Sequence, residues 1–212
     1  MAPSRKVLLV DDHELVRVGV KATYAELLGI EIEWLEASTL ADAVQLYGQH
    51  ADIDAVLLDL NMADCKGLQG LRQFLQAHPQ ARVAVFSGTQ DEFVIRQARA
   101  LGATAYVGKG TMTAQTRETL LALFGVGAGG TRPAPSAALA LFPRLPRTAK
   151  YDRVAELGPR HLEILELVLS GCTNQEISHS TALSLGTVKN YVSSLLLALD
   201  VRSRSHLISL FR

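Results

Sequence analysis

The feature that most constrains this chain is an apolar run that stops on a carboxylate. Ala55-Val-Leu-Leu-Asp59 is followed within a few residues by Asn61, Asp64 and Gly67. An acid at the end of a buried strand is costly unless a cation, a hydrogen bond or a charge partner meets it. The same arrangement occurs earlier, where Lys6-Val-Leu-Leu-Val10 runs into Asp11 and Asp12. Strand-like segments at 6–10, 31–37, 54–60, 82–87 and 103–109 alternate with helix-like segments at 13–28, 39–50, 67–77, 91–101 and about 113–124. That alternation predicts βαβ units and a doubly wound, five-stranded parallel sheet. Thr89 and Glu92 have capping-box spacing and predict the start of the fourth helix.

In an open α/β sheet, ligands bind beyond the carboxyl ends of the strands. Four strands end there in reactive groups: Asp11 and Asp12, Asp59, Ser87 and Lys109. Asp11 alone also reads as a cap on the first helix. Together the three acids repel one another unless a cation joins them, and an oxygen-only set without His or Cys favours Mg²⁺. A carboxylate in such a site can attack phosphorus and form an acyl phosphate. Lys109 would stabilise the transferring oxygens and Ser87 would hydrogen-bond one of them.

Residues 125–150 break the pattern. Gly, Ala and Pro dominate and predict a linker. Gly125, Gly127 and Gly130 match G-x-G-x-x-G, but the match follows a helix and leads into Pro133 and Pro135, so it is no dinucleotide site. From about 153 onward the pattern is helical: 159–171, 173–181, 185–199 with Ser184 as its cap, and 203–212. The expected domains are therefore 1–125, a linker at 126–152, and 153–212. Two distant cysteines, Cys65 and Cys172, make no disulfide framework. The N-terminal apolar run is four residues long and is followed by acids, unlike a signal peptide, and no run approaches a membrane span. These features predict a cytoplasmic protein with no membrane partner.

The first 125 residues resemble the receiver domain of response regulators. The motifs are "LLVDDHELVR" (8–17), "VLLDLNM" (56–62), "VFSG" (85–88) and "AYVGK" (105–109). The resemblance implies a flavodoxin-like fold, Asp59 as phosphoacceptor, and Lys109 and Ser87 assisting. It implies Mg²⁺ held by Asp12, Asp59 and the backbone carbonyl of Asn61, with Asp11 helping. Ser87 and Tyr106 are then a switch pair that repacks the face made by the fourth helix, fifth strand and fifth helix. A sensor histidine kinase is the implied phosphodonor. Ala63 stands where the family usually has Pro, which predicts a less constrained loop.

Residues 157–212 resemble the LuxR-type helix-turn-helix domain through "SGCTNQEISHSTALSLGTVKNYVSSLLLALDVRSR" (170–204), and the pairing resembles the NarL/FixJ class. The resemblance implies a small all-α, four-helix module on double-stranded promoter DNA and a homodimer when active. Thr173 to Thr181 form the scaffold helix, and Ser184 to Leu199 the recognition helix. Thr173, Asn174, Thr187, Lys189, Asn190 and Ser193 are the candidate DNA contacts. Val188, Val192, Leu195 and Leu199 are expected in the core. There are departures. Leu197 and Ala198 replace frequent basic residues, Ala182 stands where Gly is usual, and from 151 on six basic residues face six acids. A neutral domain lacks the basic footprint of a DNA binder, so the expectation is weak monomer binding and reliance on dimers.

Three functions compete. One is a phosphorylation-switched, DNA-binding regulator, not an enzyme. Another is a signalling module whose helical domain binds protein, with Leu185 or Leu197 in the interface. The third is an Mg²⁺-dependent phosphohydrolase with an aspartyl nucleophile. It would need an acid at position 61, where Asn stands.

Overall fold

The computed structural model describes residues 4–88, 90–111, 114–125, 141–143, 153–154 and 157–211. Thr89 of the expected capping box, Gly127 and Gly130 lie outside these residues, as does most of 126–152. The chain divides into two compact units.

The first unit is built on β1 (Ser4–Val10), β2 (Glu26–Leu27), β3 (Ile30–Ala37), β4 (Ala55–Leu58), β5 (Val83–Ser87) and β6 (Ala105–Gly108). Five helices alternate with them: α1 (Glu14–Thr23), α2 (Leu40–Gln49), α3 (Gln69–Ala77), α4 (Glu92–Leu101) and α5 (Ala114–Leu123). The sheet order is β2-β3-β1-β4-β5-β6. All pairings are parallel except β2 with β3. The inner strands read as unbroken apolar runs because helices cover both faces. Val7 to Val10, Val56 to Leu58 and Val83 to Phe86 are all 0% exposed. β3 alternates instead, exposing Glu31 and Glu33, as suits a strand near the edge.

The five parallel strands agree with the expectation, and β2 is an addition. It shortens the first helix, which was expected to run to Leu28. α1 ends at Thr23, and Glu26 and Leu27 pair back on Glu31 and Ile30. Leu28 (φ 52) and Gly29 (φ 78) make the turn, so a local hairpin overrides a helical pattern.

The second unit contains α6 (Pro159–Leu169), α7 (Asn174–Thr181), α8 (Leu185–Ala198) and α9 (Arg204–Phe211). Pro159 opens α6 at a position where its missing N–H costs nothing. Thr173 and Glu176 form a reciprocal capping box on α7, and Ser184 caps α8 through the Thr187 amide at 3.1 Å. Ile164, Leu165, Val168, Ile177, Val188, Leu195 and Leu207 are 0% exposed and form the core.

Candidate functional site

The sheet order reverses on either side of β1 and β4, and the candidate site lies beyond their carboxyl ends. Asp11 donates its amide to Ala37 O at 3.1 Å and Asp59 donates its own to Val10 O at 2.9 Å. The ladder therefore fixes both acids just past the last strand residue. Asp11 is 0% and Asp59 2% exposed. Asp12 is half-buried and its Oδ2 accepts the Ala63 amide at 2.8 Å. A Pro would have no N–H to offer, whereas Ala63 ties the β4–α3 loop to Asp12.

Lys109, directly after β6, joins the acids. Its Nζ lies 2.7 Å from Asp11 Oδ2 and 2.8 Å from Asp59 Oδ2. Burial alone would lower the pKa of Lys109, but hydrogen bonds to Asp11 and Asp59 outweigh it and hold the pKa above its usual value. The ammonium is therefore a fixed positive charge. Asp59 Oδ1 is buried and accepts no hydrogen bond among the described residues. A buried carboxylate oxygen that no protein donor engages is open to an incoming electrophile or cation.

One residue of the cluster was not foreseen. The oxygen-only reading omitted His13, yet its Nδ1 lies 2.8 Å from Asp12 Oδ1 and 3.1 Å from Asp11 Oδ1. Asp11, Asp12, His13 and Asp59 each bring one ligand atom within 4.8 Å of the others. Asp11 does not cap α1, whose N-cap is His13 without a side-chain cap; Asp11 Oδ1 instead accepts the His13 amide at 2.9 Å in the turn before the helix. Ser87, at the end of β5, is 0% exposed, and Tyr106 on β6 is 1% exposed. Asn61 pairs with Lys66 in an isolated bridge within the loop that carries Asp64 and Cys65.

The second unit brings Lys189, Asn190 and Ser193 to one exposed face of α8, at helical spacing. Leu197, 83% exposed, extends that face by one more turn. Val188, Val192, Leu195 and Leu199 are buried, as their spacing predicts. Other candidate contacts are engaged within the unit. The Thr187 hydroxyl lies 2.8 Å from that of Ser184, the Thr173 hydroxyl caps α7, and Asn174 Oδ1 accepts from Arg204 at 3.1 Å. Arg204 also donates to the Cys172 carbonyl, and Arg160 pairs with Glu163 at 2.6 Å. Ala182 ends α7 at φ 54, ψ 27, the left-handed conformation that glycine tolerates best.

Comparison with known proteins agrees with this geometry. Residues 7–121 match the model of the response regulator receiver domain, and residues 155–211 that of bacterial regulatory proteins of the luxR family. The glycerol metabolism activator of Pseudomonas putida is 28% identical over 94% of this chain and 91% of its own length. The response regulator protein VraR of Staphylococcus aureus is 28% identical over 94% and 92%. A solved structure of the RcsB response regulator of Salmonella typhimurium shares the fold, with a TM-score of 0.72 at 17% identity, covering 99% of this chain and 97% of that one. These matches favour the regulator reading over the protein-binding module and the phosphohydrolase. No helix among the described residues is long and apolar enough to cross a membrane. The chain belongs to the response regulators, with a receiver domain followed by a LuxR-family regulatory domain.

Proposed function

We propose that this chain is a phosphorylation-switched transcription regulator of the cytoplasm. Asp59 accepts a phosphoryl group from a sensor histidine kinase, and the helical domain then binds promoter DNA as a homodimer. One observation carries the reading. Asp59 is buried, has one oxygen against Lys109, and keeps the other without a partner among the described residues.

In the transfer, an Asp59 oxygen bonds to phosphorus as the phosphorus–nitrogen bond to the donor imidazole breaks. The imidazole nitrogen keeps the electron pair, and the product is an acyl phosphate. Lys109 Nζ, already 2.8 Å from Asp59 Oδ2, faces the negative phosphoryl oxygens. Ser87 hydrogen-bonds one of those oxygens and Tyr106 completes the switch. Asp11, Asp12, Asp59 and the Asn61 carbonyl fit Mg²⁺. Three carboxylates against one ammonium leave an excess of negative charge, and Asp59 Oδ1 is uncommitted. When bound, Mg²⁺ supplies charge stabilisation to the phosphoryl oxygens.

On the DNA side, Lys189, Asn190 and Ser193 read the major groove from α8. Thr187 lies near its N-terminus, and Thr173 and Asn174 lie at the start of α7. Only Lys189 among these is cationic, and phosphate contacts supply most non-specific affinity. Two copies are therefore needed for tight binding.

The test is DNA binding by the full-length protein on pooled genomic fragments, at low and moderate salt, with Mg²⁺ alone and with Mg²⁺ plus beryllofluoride. Binding tightens with beryllofluoride, and the gain disappears in Asp59→Asn. Absence of salt-dependent binding in every state, with Asp59 still phosphorylated, would assign the helical domain to a protein partner.

A further inference from the structure

The sheet ends at β6, and an edge strand leaves every second amide without a ladder partner. At Tyr106 this vacancy is filled from far along the chain. Its N–H donates to the carbonyl of Leu141 at 3.1 Å. Leu141 lies in the stretch whose composition reads as a linker, yet its side chain packs on the core cluster that includes Ala105, Val107, Leu120 and Leu123. The next residue, Phe142, is only 8% exposed, and the Arg99 guanidinium of α4 stands 5.7 Å from its ring centroid. That distance is within cation–π range. Leu141 and Phe142 form a turn and a bend rather than a strand, and Pro143, which has no N–H, ends amide pairing. One backbone bond, one aliphatic contact and one aromatic anchor thus hold three residues along the β6 edge.

We propose that Leu141-Phe142-Pro143 is a self-ligand of the β6 edge, a strap that covers this edge beside Arg99 of α4 and is released when Tyr106 moves. Occupation by the chain's own segment keeps the edge from templating a second copy. Tyr106 supplies both the strap's hydrogen-bond donor and a ring that is 1% exposed. A shift of the β6 backbone at Tyr106 would therefore disturb the strap's hydrogen bond and the buried ring together. The release by phosphorylation rests on the Asp59 reading proposed above, whereas the strap itself does not.

The experiment is hydrogen–deuterium exchange and sedimentation on the full-length protein, its Phe142→Ala variant and its Arg99→Gln variant, each with and without beryllofluoride. In the untreated protein the Tyr106 amide is protected. Phe142→Ala speeds its exchange at least tenfold and shifts self-association to lower concentration without beryllofluoride. Arg99→Gln does the same to a smaller extent, with β4 and β5 protection unchanged in both. Unaltered Tyr106 exchange in both variants would overturn the strap. Faster exchange with unchanged self-association would overturn its role in shielding the edge. Beryllofluoride speeds Tyr106 exchange in the unsubstituted protein and not in Asp59→Asn. If beryllofluoride has no effect while the variants behave as expected, the strap stands and the link to phosphorylation fails.

Discussion

The two halves of this chain carry charge in opposite ways. The receiver buries it: Asp11 and Asp59 sit beneath the surface against one ammonium, Lys109, with Asp12 and His13 beside them. The helical domain, apart from the buried Glu166, keeps its charge at the surface and cancels it there. Arg160 faces Glu163, Arg153 lies 3.8 Å from Asp200, and Arg204 turns toward Asn174 and the Cys172 carbonyl. A buried, unbalanced cluster does local chemistry, because a low dielectric makes each charge count. A screened, balanced surface does little alone at distances beyond about 8 Å in physiological salt. The first half can therefore act as a single molecule, whereas on the function proposed above the second half gains its field by being doubled.

The sharpest way to break this contrast is to neutralise the buried centre. Asp59→Asn abolishes phosphoryl acceptance from a small acyl phosphate, read as loss of the phosphoryl mass adduct on the intact protein. Asp52→Asn, at the opposite end of the sheet beside Lys6, leaves the adduct unchanged. An adduct persisting in Asp59→Asn would move the chemistry to another acid and dissolve the argument from the orphaned oxygen.

Next in size is the response to divalent cation. A ligand at about 100 times its dissociation constant stabilises the folded state by about 2.7 kcal/mol. Mg²⁺ should give the receiver a gain of that order, and the helical domain none. Trp34 is the single tryptophan and lies on β3, so its fluorescence in a urea titration follows the receiver alone. Far-UV circular dichroism follows both. A shift of the Trp34 transition that is lost in Asp12→Asn supports the acid site. Equal shifts in both halves would mean general salt stabilisation.

How much of this was legible follows from where each signal resides. β1 and β4 announce themselves because a strand covered on both faces must be apolar throughout, and the acids after them stand out by contrast. β2 was hidden because Tyr24, Leu27 and Leu28 continue a helical spacing into Gly29, a good helix stop. Only pairing with β3 decides against the helix. His13 falls at the start of a helical pattern in the sequence, and its place beside two carboxylates depends on the turn made by Asp11 Oδ1 and not on composition. The hydrogen bond of Ala63 was invisible because it belongs to the backbone, and the missing Pro showed only what could be lost. Leu141 and Phe142 dock through one amide and two side chains, which leaves no periodicity to read. In the helical domain the caps and core were plain, while the pairing of Arg204 with Asn174 was not, since the two are 30 residues apart.

The contrast can be sharpened from the other side by giving α8 the charge it lacks. Leu197 is exposed on the face of Lys189 and Ser193, so Leu197→Lys adds a cation without removing core packing. Each added phosphate contact steepens the dependence of log K on log salt by about 0.9. The variant should bind non-specific DNA roughly three- to tenfold more tightly at low salt, about 1 kcal/mol, and converge with the unsubstituted protein at high salt. Fluorescence anisotropy at four salt concentrations checks both slope and convergence. Weaker binding would instead make Leu197 part of a protein contact between helical domains.

The smallest effect concerns turns. In the receiver, left-handed positions at 29, 67 and 102 are glycines, with Leu28 as the exception. In the helical domain Gly171 follows the same rule, but Ala182 at the α7–α8 turn (φ 54) and Asp200 after α8 (φ 57) do not. The left-handed conformation costs a Cβ-bearing residue about 1–2 kcal/mol. Glycine avoids that cost but loses about 0.4–1 kcal/mol more entropy on folding than alanine. Ala182→Gly should therefore stabilise the helical domain by a net of about 0.5–1 kcal/mol. For a domain of this size that is a rise of a few degrees, about 2–6 °C, in its melting temperature by far-UV circular dichroism. The Trp34 transition of the receiver should not move. No rise would mean that the Ala182 methyl gains in packing what its backbone loses, and the turn would then be a matched pair of side chain and conformation.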